Sequence, residues 1–188
     1  MTAKFSFLFI SLMMVLLSSC DKDPDPVNEE ELITTLEYTL TPRDGGDVVK
    51  LTFKDLDGDG GNAPTITSSP LKSGKVYDAT LMLLNESESP SENITEEIEE
   101  EDEEHQFFFE VSPSIVPVIN VAYNDKDGNN NPVGLKSIVT TTGTGNGTLK
   151  ITLRHEPIKT ATGVSNGFIA NAGGETDIEV TFNISIVQ

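Results

Sequence analysis

The sequence predicts an all-β fold: a single antiparallel β-sandwich of immunoglobulin-like type, with one short helical turn in an acidic crossover. From residue 32 onward, apolar residues recur at every second position, the period of a strand with one buried face. The alternating segments are short and divided by Gly, Pro, Asn and Asp, the residues that set turns. No segment carries the 3.6-residue period of a long amphipathic helix. A small barrel is the alternative arrangement of the same strands.

The first strand sets Leu36, Tyr38 and Leu40 against Thr35, Glu37 and Thr39. In the second, Val49, Leu51 and Phe53 oppose Lys50, Thr52 and Lys54. A short strand around Ile66 follows, then one with Tyr77, Ala79, Leu81 and Leu83 opposite Asp78 and Thr80. Within 92–104, Ile94 and Ile98 stand four apart among acids, which gives the crossover its short helical turn. Phe107, Phe109 and Val111 form the next strand, and Ser112-Pro113-Ser114 turns the chain into another at 116–123. Strands at 135–141 and around Leu149, Ile151 and Leu153 come next. The last is the plainest: Ile178, Val180, Phe182, Ile184 and Ile186 against Asp177, Glu179, Thr181, Asn183 and Ser185. The buried Trp and paired Cys of antibody domains are both missing, so the likeness to immunoglobulin domains is one of architecture.

The 188 residues suffice for one such domain. Twelve Lys and Arg against 31 Asp and Glu leave a formal charge of −19. That balance weighs against nucleic acid, whose phosphates must be neutralised by Lys and Arg. It weighs equally against docking on an anionic membrane through a basic patch.

The N-terminus reads as an address. Lys4 supplies a positive charge, Phe5 to Leu17 is almost wholly apolar, and Ser18, Ser19 and Cys20 close the segment. This is the layout of a secretory signal, too short for a comfortable membrane span. Leu17-Ser18-Ser19-Cys20 resembles the bacterial lipobox, in which the Cys is lipidated and becomes the new N-terminus. Residues 1–19 are then a lipoprotein signal peptide, 20–31 an acidic tether after lipidated Cys20, and 32–188 the β-sandwich domain. Pro24, Pro26 and the surrounding acids keep the tether solvated. Cys20 is the only Cys, so its acylation leaves no thiol for a disulfide, a metal or catalysis.

Two acidic loops suggest calcium weakly. Asp55, Asp57, Asp59 and Gly60 match the D-x-D-x-D-G start of a calcium loop, but Ile66 stands where a bidentate Glu is needed. Asp125, Asp127 and Asn129 alternate in the same manner. Asp, Asn and Gly are also ordinary turn residues, so a turn is the plainer reading of both.

The histidines are more informative. His105 shares the parity of Phe107 and Phe109, and His155 that of Leu149, Ile151 and Leu153. They are the only two His, and each adjoins a Glu: Glu104-His105 and His155-Glu156. A lone His at a strand end is usually structural. Two on core-facing registers beside carboxylates point to a metal site of His105, His155 and Glu104, Glu156 or Glu175. Such donors suit Zn²⁺ or another divalent transition ion, with Ca²⁺ the weaker alternative. If every connection reverses the chain, the loops 55–63, 85–105, 124–134 and 156–175 gather at one end, with both His. Loss of one early strand, most easily that around Ile66, would move 55–63 to the other end. Eleven acids and no base lie between Glu86 and Glu104, normally the mark of a solvated loop.

No HExxH, GxSxG or phosphate loop is present, so nothing marks an enzyme. Without Trp, an aromatic platform for glycans is also disfavoured.

Cys20-Asp21-Lys22-Asp23 resembles the start of mature lipoproteins of Bacteroidota, and implies an outer-membrane location with the periplasmic or outward face left open. The whole chain resembles small lipoproteins of that phylum, especially of flavobacteria. Glu103-Glu104-His105-Gln106, Asp125-Lys126-Asp127-Gly128, Pro132-Val133-Gly134-Leu135, Leu153-Arg154-His155-Glu156-Pro157 and Gly174-Glu175-Thr176-Asp177 carry the likeness. Such proteins sometimes bear the label "type 1 periplasmic binding fold", which the residues oppose: that fold needs two α/β lobes. The resemblance implies an accessory of a TonB-dependent outer-membrane receptor, active in uptake of a metal or small nutrient.

The leading expectation is a non-enzymatic cell-envelope lipoprotein that binds a cation or small ligand. The alternative is an interaction module that docks on an outer-membrane receptor with no ligand of its own. A hydrolase with an unmarked site is third.

Overall fold

The computed structural model describes residues 32–58, 61–87 and 89–188. The signal, the tether, Cys20 and Asp59 lie outside the described residues. Two sheets pack as a sandwich, as the two-residue period requires. One sheet holds β1 (Thr35–Pro42), β2 (Val49–Lys54), β3 (Thr65–Ser68), β5 (Val76–Leu84), β7 (Ile119–Tyr123) and β8 (Lys136–Thr141). The other holds β4 (Leu71–Lys72), β6 (His105–Val111), β9 (Gly145–His155) and β10 (Glu175–Val187). Their orders are β3-β2-β1-β5-β8-β7 and β4-β10-β9-β6.

Register puts the apolar faces together. Tyr38 lies between Leu51 of β2 and Leu81 of β5, and Leu36 between Phe53 and Leu83. Across the sandwich, Ile151 of β9 lies between Phe109 of β6 and Val180 of β10, and Phe182 pairs Leu149. Those fully buried, such as Leu36, Leu51, Ile151 and Phe182, each stabilise the fold by roughly 1.5–3 kcal/mol.

β3 and β4 form one passage between the sheets. β3 pairs β2 antiparallel, whereas β4 pairs β10 in parallel. Pro70, which has no N–H for a ladder, lies between them. Both run in the same direction, so the two-residue β4, which the period does not reveal, leaves the count of reversals intact. Thr35 therefore faces both Lys54 and Leu84, Tyr123 faces Ser137, and His105 and Glu175 both face His155. The strand ends that flank the four loops expected at one end of the sandwich do share that end.

The helical turn is α1 (Ile94–Glu100), which buries Ile94 and Ile98. Thr95 fastens it to β5: its hydroxyl accepts the Leu83 N–H at 2.8 Å. One boundary differs from the expectation. The strand placed at 116–123 starts at Ile119, because 112–118 coils first. The N–H groups of Ile115 and Val116 both donate to the Ser112 carbonyl, at 3.1 and 3.2 Å. Pro113, lacking an N–H, suits the start of such a coil. A second difference is Phe108, whose parity faces it away from the core. It is nonetheless buried, because the 156–174 segment folds back over this sheet and covers it with Val164 and Ala172.

Candidate metal centre

The two histidines meet. His105 at the start of β6 and His155 at the end of β9 are direct cross-strand partners. Their ring centroids lie 4.6 Å apart and the ring planes cross at 49°. The pair continues the core ladder below it, Phe107 beside Leu153 and Phe109 beside Ile151. Both rings are therefore buried, His105 fully and His155 with 5% of its surface exposed.

The third member is Asp177, which strict alternation places outward with Glu179. In β10, Thr176 pairs Arg154 and Ile178 pairs Leu153, so Asp177 is the extra residue of a β-bulge. A bulge re-aims a side chain, and the Asp177 side chain is completely buried. Its Oδ1 lies 3.8 Å from His155 Nδ1. One ring nitrogen from each His and one Asp177 oxygen all lie within 4.8 Å of one another. Glu175, opposite His155 in the ladder, is exposed and does not join the group. The bulge is the physical reason that Asp177 joins the histidines: it breaks the alternation that would set Asp177 outward with Glu179.

His105 Nδ1 lies 3.2 Å from the Glu101 carbonyl oxygen. A carbonyl only accepts, so His105 Nδ1 is the donor of this hydrogen bond. The turn after α1 supplies that carbonyl, and thereby orients the ring.

Glu104 and Glu156 gather on the solvent side of His155. Glu104 Oε2 lies 3.9 Å from His155 Nε2. Glu104, His155 and Glu156 form a second group with ligand atoms within 4.8 Å. The backbone fixes both acids: the Glu156 N–H donates to the Glu104 carbonyl at 2.6 Å. Glu156 has φ 49°, unusual outside glycine. Gly174 packs on this corner, where an added Cβ would collide with the His155 carbonyl oxygen.

The calcium candidates are engaged otherwise. Asp55 accepts the Gly58 N–H at 3.0 Å, and Asp57 accepts the Asn62 N–H and side-chain amide at 3.0 and 2.7 Å. Asp125 accepts the N–H groups of Gly134 and Lys136, both at 2.7 Å. Asp127 accepts those of Asn129 and Asn131 at 2.9 and 2.8 Å, and Lys159 Nζ at 2.9 Å. Asn129 thus offers its backbone N–H to Asp127. These carboxylates close turns, and among the described residues none of them belongs to a three-ligand group.

Lys159 is a second residue the sequence does not single out. It is buried with Asp127, and it also donates to the Asp102 carbonyl. It thereby ties the 124–134 loop, the 156–174 segment and the turn after α1 together. Burial alone would raise the Asp127 pKa. The Lys159 ammonium and the Asn131 and Asn129 N–H groups more than offset this and hold the carboxyl below the usual range.

Comparison with known proteins yields no matching family model, no matching curated protein and no matching solved structure.

Proposed function

We propose that this chain is a non-enzymatic, lipid-anchored protein of the bacterial cell envelope that holds a divalent transition metal at His105, His155 and Asp177. The observation that carries the reading is the meeting of both histidines of the chain with a buried carboxylate, donor atoms within 4.8 Å of one another. Two imidazole nitrogens and one carboxylate oxygen are the donor types of zinc sites. Three protein ligands leave a fourth position for water or an exchangeable ligand. The His105 Nδ1 contact to the Glu101 carbonyl matches the habit of ligating imidazoles, whose other N–H is commonly held by a carbonyl or carboxylate. Zinc is the first candidate. Calcium is weaker, because the loops that suggested it spend their carboxylates on turns.

The lipobox-like Leu17-Ser18-Ser19-Cys20 supports the envelope reading, and the Cys20-Asp21-Lys22-Asp23 start favours the outer membrane. Service to a TonB-dependent receptor is the partnership that the family resemblance suggests. The alternative, a docking module, draws on Ile158 and Phe168, which expose 60% and 66% of their surface on the segment beside the metal centre.

The test is zinc titration by calorimetry with parallel thermal melting, for wild type and His105→Ala. Free zinc at 100 times its dissociation constant adds about 2.7 kcal/mol of stability. At about 2–4 °C per kcal/mol for a chain of this size, the melting temperature rises by roughly 5–11 °C. His105→Ala abolishes the rise. A wild type that ignores zinc, or a mutant that binds it equally, returns the histidines to a structural role.

A further inference from the structure

We propose that the uncovered edge of β10 is a strand-acceptor site, which takes an extended, uncharged segment of a partner polypeptide beside Thr181, Asn183 and Ser185. The site is independent of the metal reading. Backbone directions define it. The Ser112 N–H donates to the Thr148 carbonyl at 2.9 Å, so the even-numbered residues of β9 bond β6. The odd-numbered Gly147, Leu149 and Ile151 then bond their β10 partners Ile184, Phe182 and Val180. The residues between those partners, Thr181, Asn183 and Ser185, send their N–H and C=O groups to the opposite side. Val187 shares their parity, and its carbonyl accepts the Ser73 N–H at 2.7 Å on that side. There β4 pairs only Ile186 and Val187 of the 13 residues of β10. Among the described residues, no strand pairs the stretch from Glu179 to Ser185 on this side.

A groove of about 670 Å³ lies against that edge, between Thr181, Asn183 and Ser185 on one side and Ile66 and Ser68 of β3 on the other. β3 is itself the outermost strand of its sheet, and Ile66 exposes 43% of its surface. No charged residue lines the groove, although the chain carries a formal charge of −19. Proteins usually blunt an open edge with charge or cover it, because an unpaired edge is a template for another strand. This one is neither charged nor covered.

The chemistry of the occupant follows from the edge. In strand addition, main-chain hydrogen bonds give affinity and alternate side chains give specificity. From residue 179 to 185 the edge offers roughly 20 Å of backbone. An added strand shares the faces of β10, so its side chains alternate between the polar row of Thr181 and Asn183 and the apolar row of Phe182 and Ile184. The segment that fits alternates polar with apolar residues. It carries no charge, because a charge there would lose water and meet no counter-ion in the lining. Two copies of so acidic a chain repel as they approach, which favours a different polypeptide over a second copy.

Amide hydrogen exchange by NMR, on the purified protein, reads the edge directly. The probe is a capped synthetic peptide with the sequence of residues 180–186, which is uncharged and alternates apolar with polar residues. The control peptide carries Pro at its second and fifth places, which removes a donor from each of its edges. In the free protein the Thr181, Asn183 and Ser185 amides exchange fast, while those of Val180, Phe182 and Ile184 are slow. The probe binds with a Kd below about 1 mM and slows the first three at least about 10-fold; the control peptide does neither. Asn183→Pro deletes a donor of the open edge and spares the ladder to β9, and Ile66→Lys puts a cation in the groove without touching β10. Each weakens the probe at least about 10-fold, with folding checked by melting. Three results overturn the site: amides 181, 183 and 185 already slow in the free monomer, a probe that protects none of them, or equal binding by the control peptide or by Ile66→Lys. Sedimentation that shows a dimer with those amides protected in the absence of peptide gives the edge to a second copy, and overturns the assignment to a partner.

Discussion

Replacing Lys159 by Met probes the buried pair that ties three loops together, without touching the residues of the proposed metal site. The ammonium sits 2.9 Å from Asp127 Oδ2, with side-chain exposures of 5% and 1%. Met keeps the length of the stem and removes the charge. Asp127 then keeps its two turn N–H donors but loses its counter-ion, and the Asp102 carbonyl loses a donor. Removing one partner of a buried pair costs about 3–5 kcal/mol, a large share of the roughly 5–15 kcal/mol that stabilises a domain. The melting temperature should fall by about 6–20 °C at neutral pH. The assay is thermal melting by circular dichroism, in a double-mutant cycle with Asp127→Asn, which preserves an acceptor for the turn. The double mutant should regain part of the loss, because neither charge remains unpaired. Acid adds a second readout. The folded-state pKa of Asp127 is depressed, so its contribution is present above the unfolded value, about 3.9, and is lost as pH falls through the folded one. Asp127→Asn should therefore flatten the stability loss below about pH 4. A Lys159→Met protein within about 0.5 kcal/mol of wild type, the range of an ordinary surface change, would refute the structural role of the Lys159–Asp127 pair.

Two further outcomes are expected. Phe182→Asp, which puts a charge into the core between the sheets, should cost several kcal/mol, while Asn183→Asp on the exposed face should leave stability within about 0.5 kcal/mol. Equal melting temperatures would show the register of β10 to be wrong. In cells fed a fatty-acid analogue, wild type should be labelled and Cys20→Ala should not. Equal labelling would remove the anchor.

The strands were legible because their faces differ. Leu36, Tyr38 and Leu40, or Ile178 through Ile186, alternate cleanly, and period two needs no tertiary information to be read. The end of the sandwich that gathers the acidic loops was legible by counting reversals. Parity and that count put His105 and His155 on core-facing registers at one end; their direct meeting comes from the pairing of β6 with β9, which the count does not supply. What escaped the sequence depends on breaks in periodicity. Asp177 turns inward only because a bulge inserts it between two paired residues, and nothing in Thr176-Asp177-Ile178 announces a bulge. β4 is too short for a period, and its parallel pairing with β10 is set by a chain that changes sheets at Pro70. Phe108 has outward parity and is covered by a segment 50 and more residues further on, which no local pattern records. Lys159 reads as a solvated loop lysine until the fold brings Asp127 to it. The acidic loops carried a calcium-like spacing, but the same Asp residues are good turn acceptors, and their backbone neighbours took the oxygens first.

X-ray absorption at the zinc edge, on protein loaded with one equivalent, reads the ligands of the ion themselves. Zinc held by His105, His155 and Asp177 gives a nitrogen and oxygen shell at about 2.0–2.2 Å with the outer scattering of two imidazoles. In Asp177→Asn the zinc should be lost or its oxygen shell changed, and in His105→Ala one imidazole contribution should vanish. A shell of oxygen alone, or a spectrum unmoved by either substitution, would contradict the assignment of the ion to His105, His155 and Asp177.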